Sequence, residues 1–384
     1  MTSMPTPLYL DHHATTPCDP RVVEAMLPYF SQHFGNPSGR GHSWGMMANS
    51  AVTVAREQLA GAIGAQPREL LFTSGATESN NLAIQGLAGH ATDRRHLVTV
   101  ATEHKAVLDP MRRLQDEGFD LTVITPPADG VVTPAQVKAA LRPDTLLVST
   151  MWVNNEIGCI APIRAIADAA HRVGALLHVD AAQALGRVPI DVHADGVDLM
   201  SLTAHKVYGP KGVGALFVRA GRPRISLRPL QLGGSQERGL RSGTLSVPLI
   251  VGFAQAAVLA EEERADEMPR QQMLRDQLWE GLASLGGVHL HGSLEHRVAS
   301  NLNLRIDGVS AADLRATLRT IAFSSGSACS SSAPTPSHVL KALGLTDEQA
   351  FGAVRFGLGR STQRAHIDET LDLFTRAIRS LRRT

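Results

Sequence analysis

Cysteine is scarce. Cys18, Cys159 and Cys329 are the three in 384 residues, too few and too scattered for a disulfide framework or a zinc site, and they suit a reducing compartment. Net charge is equally slight. Lys and Arg number 37 against 36 Asp and Glu, a balance of +1, so no field of one sign draws the chain to nucleic acid or to an anionic membrane. The first residues, MTSMPTPLYLDHH, lack both the basic start and the apolar core of a signal peptide. The most apolar segment, 245–260, is short for a membrane span and is interrupted by Ser246, Pro248 and Gln255, so it reads as the entry to a buried helix. There is no internal repeat and no low-complexity linker. The run GPKGVG lacks the P-loop spacing, which removes the simplest nucleotide-hydrolase reading. Together these absences leave a cytoplasmic protein with no metal site, no membrane partner and no direct nucleic-acid partner.

What is present is globular. Hydrophobic residues make up 43% and charged residues 19%, and the length suits two domains. Short apolar runs bounded by polar or Gly-rich residues predict strands at 70–73, 97–101, 121–124, 146–150, 176–180, 198–202 and 214–218. Helical spacing fills most of the gaps, as at 105–117, 134–141 and 162–173, and a further helix is predicted over 20–29. Repeated strand–helix units imply an α/β fold, a mostly parallel seven-stranded sheet between helices. Past about Val247 a long helical stretch leads away, and a strand at 301–306 with helices near 311–319, 337–343 and 367–381 predicts a smaller α+β domain. The expected division is a large domain over 16–259 and a small one built from 1–15 and 260–384.

In an open α/β sheet, ligands bind at the carboxyl ends of the strands. Asp180 and Gln183 follow one such end; Thr203, His205 and Lys206 follow another. A carboxylate and a lysine on neighbouring strand ends suit pyridoxal phosphate (PLP), which a lysine holds as a Schiff base while an acid faces the pyridinium nitrogen. A buried Asp–Lys ion pair beside a Gly-rich turn is the even alternative. Ser74-Gly75-Ala76-Thr77 predicts a tight turn with Thr77 capping a helix; its N–H groups can take a phosphate, or the helix is simply capped. His104 can lie over a flat ring and move protons, or cap a helix. Asn155 can orient a polar ligand or satisfy backbone groups. Arg355 can hold a carboxylate or form a structural salt bridge. Cys159 reads as a small buried apolar residue. Cys329 lies in SSGSACSSSAPTPS, a run of small turn-forming residues, where a thiol is exposed as a nucleophile needs to be, or is incidental.

Taken together, YLDHHATTP (9–17), FGNPSGRGH (34–42), FTSGATESNNLAI (72–84), TEHKAVLD (102–109), VNNEIG (153–158), HVDAAQALG (178–186), AHKVYGPKGVGAL (204–216), RSGTL (241–245), SSGSACSSS (324–332) and VRFGLGR (354–360) span nearly the whole chain. In this order the set closely resembles the cysteine desulfurases of the NifS/IscS kind, PLP-dependent enzymes of the class V aminotransferase group with a type I fold. The resemblance implies that Lys206 holds PLP, Asp180 faces the ring nitrogen, Gln183 bonds the ring hydroxyl and His104 stacks on the ring. It implies Ala76, Thr77, Thr203 and His205 around the phosphate, and Thr244 reaching the phosphate of the partner subunit, hence a homodimer. Asn155 and Arg355 would bind the substrate, L-cysteine, and Cys329 would take its sulfur as a persulfide and pass it to an acceptor protein, an iron–sulfur scaffold or another carrier.

Some positions depart from the family's pattern. Thr203 stands where many relatives have Ser, Ala204 replaces a usual Gly, and His12-His13 carries no assigned role. The chain ends at Thr384, without the longer tail that helps housekeeping members dock their scaffold. Selenocysteine lyase or another class V aminotransferase or lyase is the alternative; such enzymes need Lys206 but not a cysteine loop. A sulfur carrier that has lost catalysis is the non-enzyme alternative, and intact Lys206, Asp180, His104, Gln183 and Cys329 argue against it.

Overall fold

The computed structural model describes residues 7–221, 224–325 and 335–382. Leu8–Tyr9 (β1) enters, followed by helices Pro20–Met26 (α1), Pro28–Ser31 (α2) and Ser43–Gly61 (α3). The predicted helix over 20–29 is thus two, because Pro28 has no N–H to continue the first and instead opens the second. Alternation then begins: Leu70–Thr73 (β2), Ala76–Ala88 (α4), His96–Val100 (β3), Lys105–Asp116 (α5), Asp120–Ile124 (β4), Pro134–Ala140 (α6), Thr145–Met151 (β5), Ile163–Arg172 (α7), Leu176–Asp180 (β6), Leu199–Thr203 (β7) and Gly214–Val218 (β8).

These strands form one seven-stranded sheet in the order β2-β8-β7-β6-β5-β3-β4. All pairs are parallel except those made by β8, which runs antiparallel to both β2 and β7. Alternate residues face opposite helix layers. Leu71, Leu97, Leu147, Leu199 and Leu216 pack with Leu82, Val107 and Met111 of α4 and α5. Phe72, Val98, Val148, Met200 and Phe217 pack with Ala48, Val52 and Leu59 of α3. Both faces are covered, which is why the strands read as continuous apolar runs rather than alternating ones. Each fully buried Leu or Phe contributes roughly 1.5–3 kcal/mol of transfer free energy.

The 37-residue helix Val247–Ala283 (α8) leaves this core. Beyond it lie Val288–Leu290 (β9), Asn301–Ile306 (β10), Ala311–Thr317 (α9), Ile321–Ala322 (β11), Ser324–Ser325 (β12), His338–Ala342 (α10), Asp347–Phe351 (α11), Ala353–Gly357 (β13) and Arg364–Leu381 (α12). Strands β12-β13-β10-β9 make an antiparallel sheet, and β1 returns from the start of the chain to pair with β11. A separate apolar cluster, including Leu10, Leu278, Phe356 and Phe374, fills this part. No helix among the described residues is long and apolar enough to cross a membrane.

Candidate active site

Because β2, β3, β5, β6 and β7 run in one direction, their carboxyl ends share one edge of the sheet. The reversed β8 starts at that same edge, so Gly214 pairs with both Thr73 and Thr203. A cleft of about 570 Å³ opens there. Ala76, Thr77, His104, Asn155, Asp180, Gln183, Thr203, His205 and Lys206 all line it. Nine residues predicted from separate motifs therefore meet in one cavity. Lys211 and Gly212, ahead of β8, also line it.

Asp180 is the last residue of β6 and is buried. Its carboxylate accepts from the Asn80 amide at 2.7 Å and from the Ala182 N–H at 3.0 Å. Asn80 also lines the cleft and was not singled out from sequence. Its signal was the position one helical turn past Ala76, on the face of α4 turned to the sheet. Gln183 donates its amide to the His13 carbonyl at 2.8 Å, while its Oε1 is buried without a partner among the described residues. The Asn155 Oδ1 is in the same condition.

The turn into α4 differs from the expectation. Gly75, not Thr77, is the N-cap, and Ala76 and Thr77 are already helical. Gly75 has φ 156° and ψ 178°, a conformation open in practice only to glycine, and the Ser74 N–H is taken by the Glu78 carboxylate at 2.7 Å. The first N–H groups of α4 have no partner within the helix. With Thr203, His205 and Lys211 around them, they form a donor set for a multiply charged anion.

Burial disfavours the charged form of both histidines. His104 is the N-cap of α5, and its Nδ1 accepts from the Ala106 N–H at 3.1 Å, which leaves the proton on Nε2. Burial pushes its pKa below the ordinary value, and the nearby Lys206 and His338 add to this against the opposing pull of Asp180. The His205 Nδ1 lies 3.0 Å from the Thr15 hydroxyl, and burial with Lys206 and Lys211 lowers its pKa to about 4. Ala204 is fully buried, and the room for its methyl comes from Gly209, where an added Cβ would stand 2.8 Å from that methyl.

Two predicted residues, Arg355 and Thr244, do not line the cleft. Arg355 of β13 is buried behind Asn155, donating to its carbonyl at 2.8 Å and to the Asp11 carboxylate at 2.8 Å, with Nε lacking a partner among the described residues. Asp11, also missed from sequence, sits just ahead of the turn over 12–14 that leads through Ala14 to Thr15. Thr244 is exposed between β8 and α8. Cys329 lies outside the described residues. Cys159 is buried, and burial raises its thiol pKa.

A model of the family described as aminotransferase class V matches residues 8–370. A protein of Methylobacillus flagellatus named cysteine desulfurase IscS is 50% identical over 379 residues, 98% of this chain and 93% of that protein. Among solved structures, one titled NifS-like protein superposes with a TM-score of 0.90 at 35% identity, covering 98% of this chain and 99% of its own. The crystal structure of DndA from Streptomyces lividans gives a TM-score of 0.78 at 44% identity, covering 90% and 97%.

Proposed function

The chain belongs to the class V aminotransferase family and, within it, to the cysteine desulfurases, and from that premise we propose how its own residues carry the reaction. The observation that supports the reading best is the donor set of the cleft. It joins Lys206, the hydrogen-bonded Asp180 carboxylate, and the buried, unpartnered Gln183 Oε1 and Asn155 Oδ1 to an anion cradle at the start of α4. These residues fit PLP. Lys206 would hold it, Asp180 would face its ring nitrogen, Gln183 its ring hydroxyl, His104 its ring face, and Ala76, Thr77, Thr203 and His205 its phosphate. Bound there, PLP supplies an electron sink for the pair left when an amino acid loses its α-proton.

The chain supplies the rest. The Lys206 amine removes the α-proton of L-cysteine and later returns a proton. Asp180, an acceptor for two hydrogen bonds, is oriented by them to face the ring nitrogen and would favour a proton there. Arg355 binds the substrate carboxylate and Asn155 orients it. His104, with its proton on Nε2, donates rather than abstracts. The Cys329 thiolate attacks the substrate sulfur; the new S–S bond forms as the C–S bond breaks, leaving a persulfide on Cys329 and alanine after protonation. A sulfur acceptor then takes the outer sulfur.

We further propose a large PLP-binding domain over 16–259 and a small domain from the remaining residues, supported by their separate apolar clusters. We also propose a homodimer in the cytoplasm. Thr244 is exposed and absent from the lining of its own cleft, and Leu27, Phe30, Phe34, Trp44, Met46 and Val54 expose apolar side chains around α2 and α3. The test combines purified protein, PLP and L-cysteine, with alanine and sulfide measured together. Cys329→Ala should lose sulfur delivery yet keep the lysine-dependent visible absorbance, and sedimentation of the same sample should give twice 41.0 kDa. Sulfide release unchanged in Cys329→Ala would remove Cys329 from the mechanism.

A further inference from the structure

Lys206 also borders a second cavity, of about 30 Å³, shared with Arg187, Tyr208, Glu267 and Arg360. Arg187 is buried, and among the described residues its hydrogen bonds run only to main-chain carbonyls. Nη1 donates to the Gln183 carbonyl at 3.2 Å, and Nη2 donates to the Lys206 carbonyl at 3.1 Å and, more weakly, to that of His12 at 3.5 Å. No carboxylate of the described residues lies within ion-pair distance of it. Burial lowers its pKa to about 10, so it is charged at neutral pH.

A buried cation without a counter-ion is costly, and Met or Leu would fill the same volume without that cost. What guanidinium adds is a rigid planar fork of donors. Here the fork joins three segments distant in sequence, each of which reaches the cleft. The turn after His12 supplies Ala14 and Thr15 to the lining and the His13 carbonyl to Gln183. The turn after β6 carries Gln183 itself, and the loop after β7 carries Lys206.

That loop is also strained. Tyr208, two residues past Lys206, has φ 65°, a left-handed conformation costly for a residue with a ring side chain. Such strain persists only where the surroundings over-determine it. Thr16 Oγ1 accepts from the Tyr208 N–H at 2.8 Å, the Tyr208 hydroxyl accepts from the Arg360 N–H at 2.7 Å, and the Arg360 guanidinium lies 4.3 Å over its ring. Arg187 holds the other side of the same turn, at the carbonyl of the lysine itself.

We propose that Arg187 is a positioning residue for the desulfurase reaction, its fork setting the Lys206 and Gln183 peptides so that amine and amide meet the cofactor in one geometry. The inference rests on Lys206 being the residue that holds PLP. The test uses the full chain stripped of cofactor, in four forms: wild type, Arg187→Lys, Arg187→Met and Lys206→Ala. Each is examined for thermal unfolding without cofactor, for PLP affinity and the pH midpoint of the visible absorbance band, and for kcat and KM with L-cysteine.

Lysine keeps the charge but not the fork. Arg187→Lys should unfold within about 5 °C of wild type, yet bind PLP about tenfold more weakly, with the band's midpoint moved by about one pH unit. Its kcat should fall roughly tenfold to a hundredfold while KM changes little, because displacements on the order of 1 Å cost that much. Wild-type affinity, midpoint and kcat in Arg187→Lys would overturn the proposal, whatever its unfolding temperature; if Arg187→Met does not fold, Arg187→Lys alone decides. Failure of the underlying reading would show separately, as a visible band that survives in Lys206→Ala.

Discussion

Arg355 shows how much a single side chain depends on one its sequence neighbours do not reveal. Its guanidinium spans the Asn155 carbonyl and the Asp11 carboxylate, and Asp11 in turn accepts from the Ser324 hydroxyl at 2.7 Å. Asp11 thereby fixes the orientation of the guanidinium, and with it the edge that would face substrate in the role proposed for Arg355. Asp11→Asn should raise KM for L-cysteine about five- to tenfold and leave kcat within about twofold, the pattern of lost ground-state binding. A fall in kcat at constant KM would assign Asp11 to the chemical step instead. Arg355 was readable in VRFGLGR, whereas Asp11 was not, since 344 residues separate the pair. Asn80 was hidden in the same way: it reads as one of two helical amides until β6 brings Asp180 against α4.

Among the elements, most were legible because their signals are local. Apolar runs marked the strands to within a residue or so, and helical periodicity marked α5, α7 and α12. The misplaced features were ends, where backbone geometry rather than composition decides. Thr77 has the chemistry of a cap, but the chain bends one residue after Ser74, at Gly75. The reason lies across the sheet. A Cβ on Gly214 would stand 2.4 Å from the Leu202 carbonyl oxygen and 2.6 Å from the Gly75 Cα, so β8 packs glycine to glycine against the turn that opens α4. Gly214→Ala should cost roughly 1–3 kcal/mol of stability by overpacking and also weaken phosphate binding, since the Gly75 peptide must move. Denaturant unfolding and PLP titration measure the two effects. A stable Gly214→Ala variant with unchanged PLP affinity would show that this contact does not shape the cradle.

At the scale of the whole molecule, burial of histidine governs the response to acid. Burial lowers the pKa of His12, His178 and His291 to about 4, and lowers those of His13, His96 and His104 as well. In each case the unfolded chain takes up a proton near 6.5 and the folded chain does not. The unfolded state therefore binds more protons between about 4 and 6.5, and stability must fall as pH falls through that window. Glu156, raised by burial to about 7, and Glu103, raised well above its ordinary value, work in the opposite sense but are outnumbered. Denaturant midpoints should drop steadily from pH 6.5 to pH 4; a flat profile would mean that these rings are charged in the folded protein.

The amino-acid sequence by itself determined the alternation of strand and helix, the placing of Asp180, Lys206, His104 and Asn155 at or just past strand ends, and the family these motifs resemble. Each of these depends on residues near one another in the chain. Tertiary structure alone decided that Asn80 supports Asp180, that Asp11 braces Arg355, and that Arg187 ties its own turn to the lysine loop and to the distant turn after His12. Those pairings follow from strand order, from the reversal of β8 and from the return of β1 to β11. A buried polar group takes whatever partner the packing brings within about 3 Å, and over hundreds of residues no local pattern encodes which one that is.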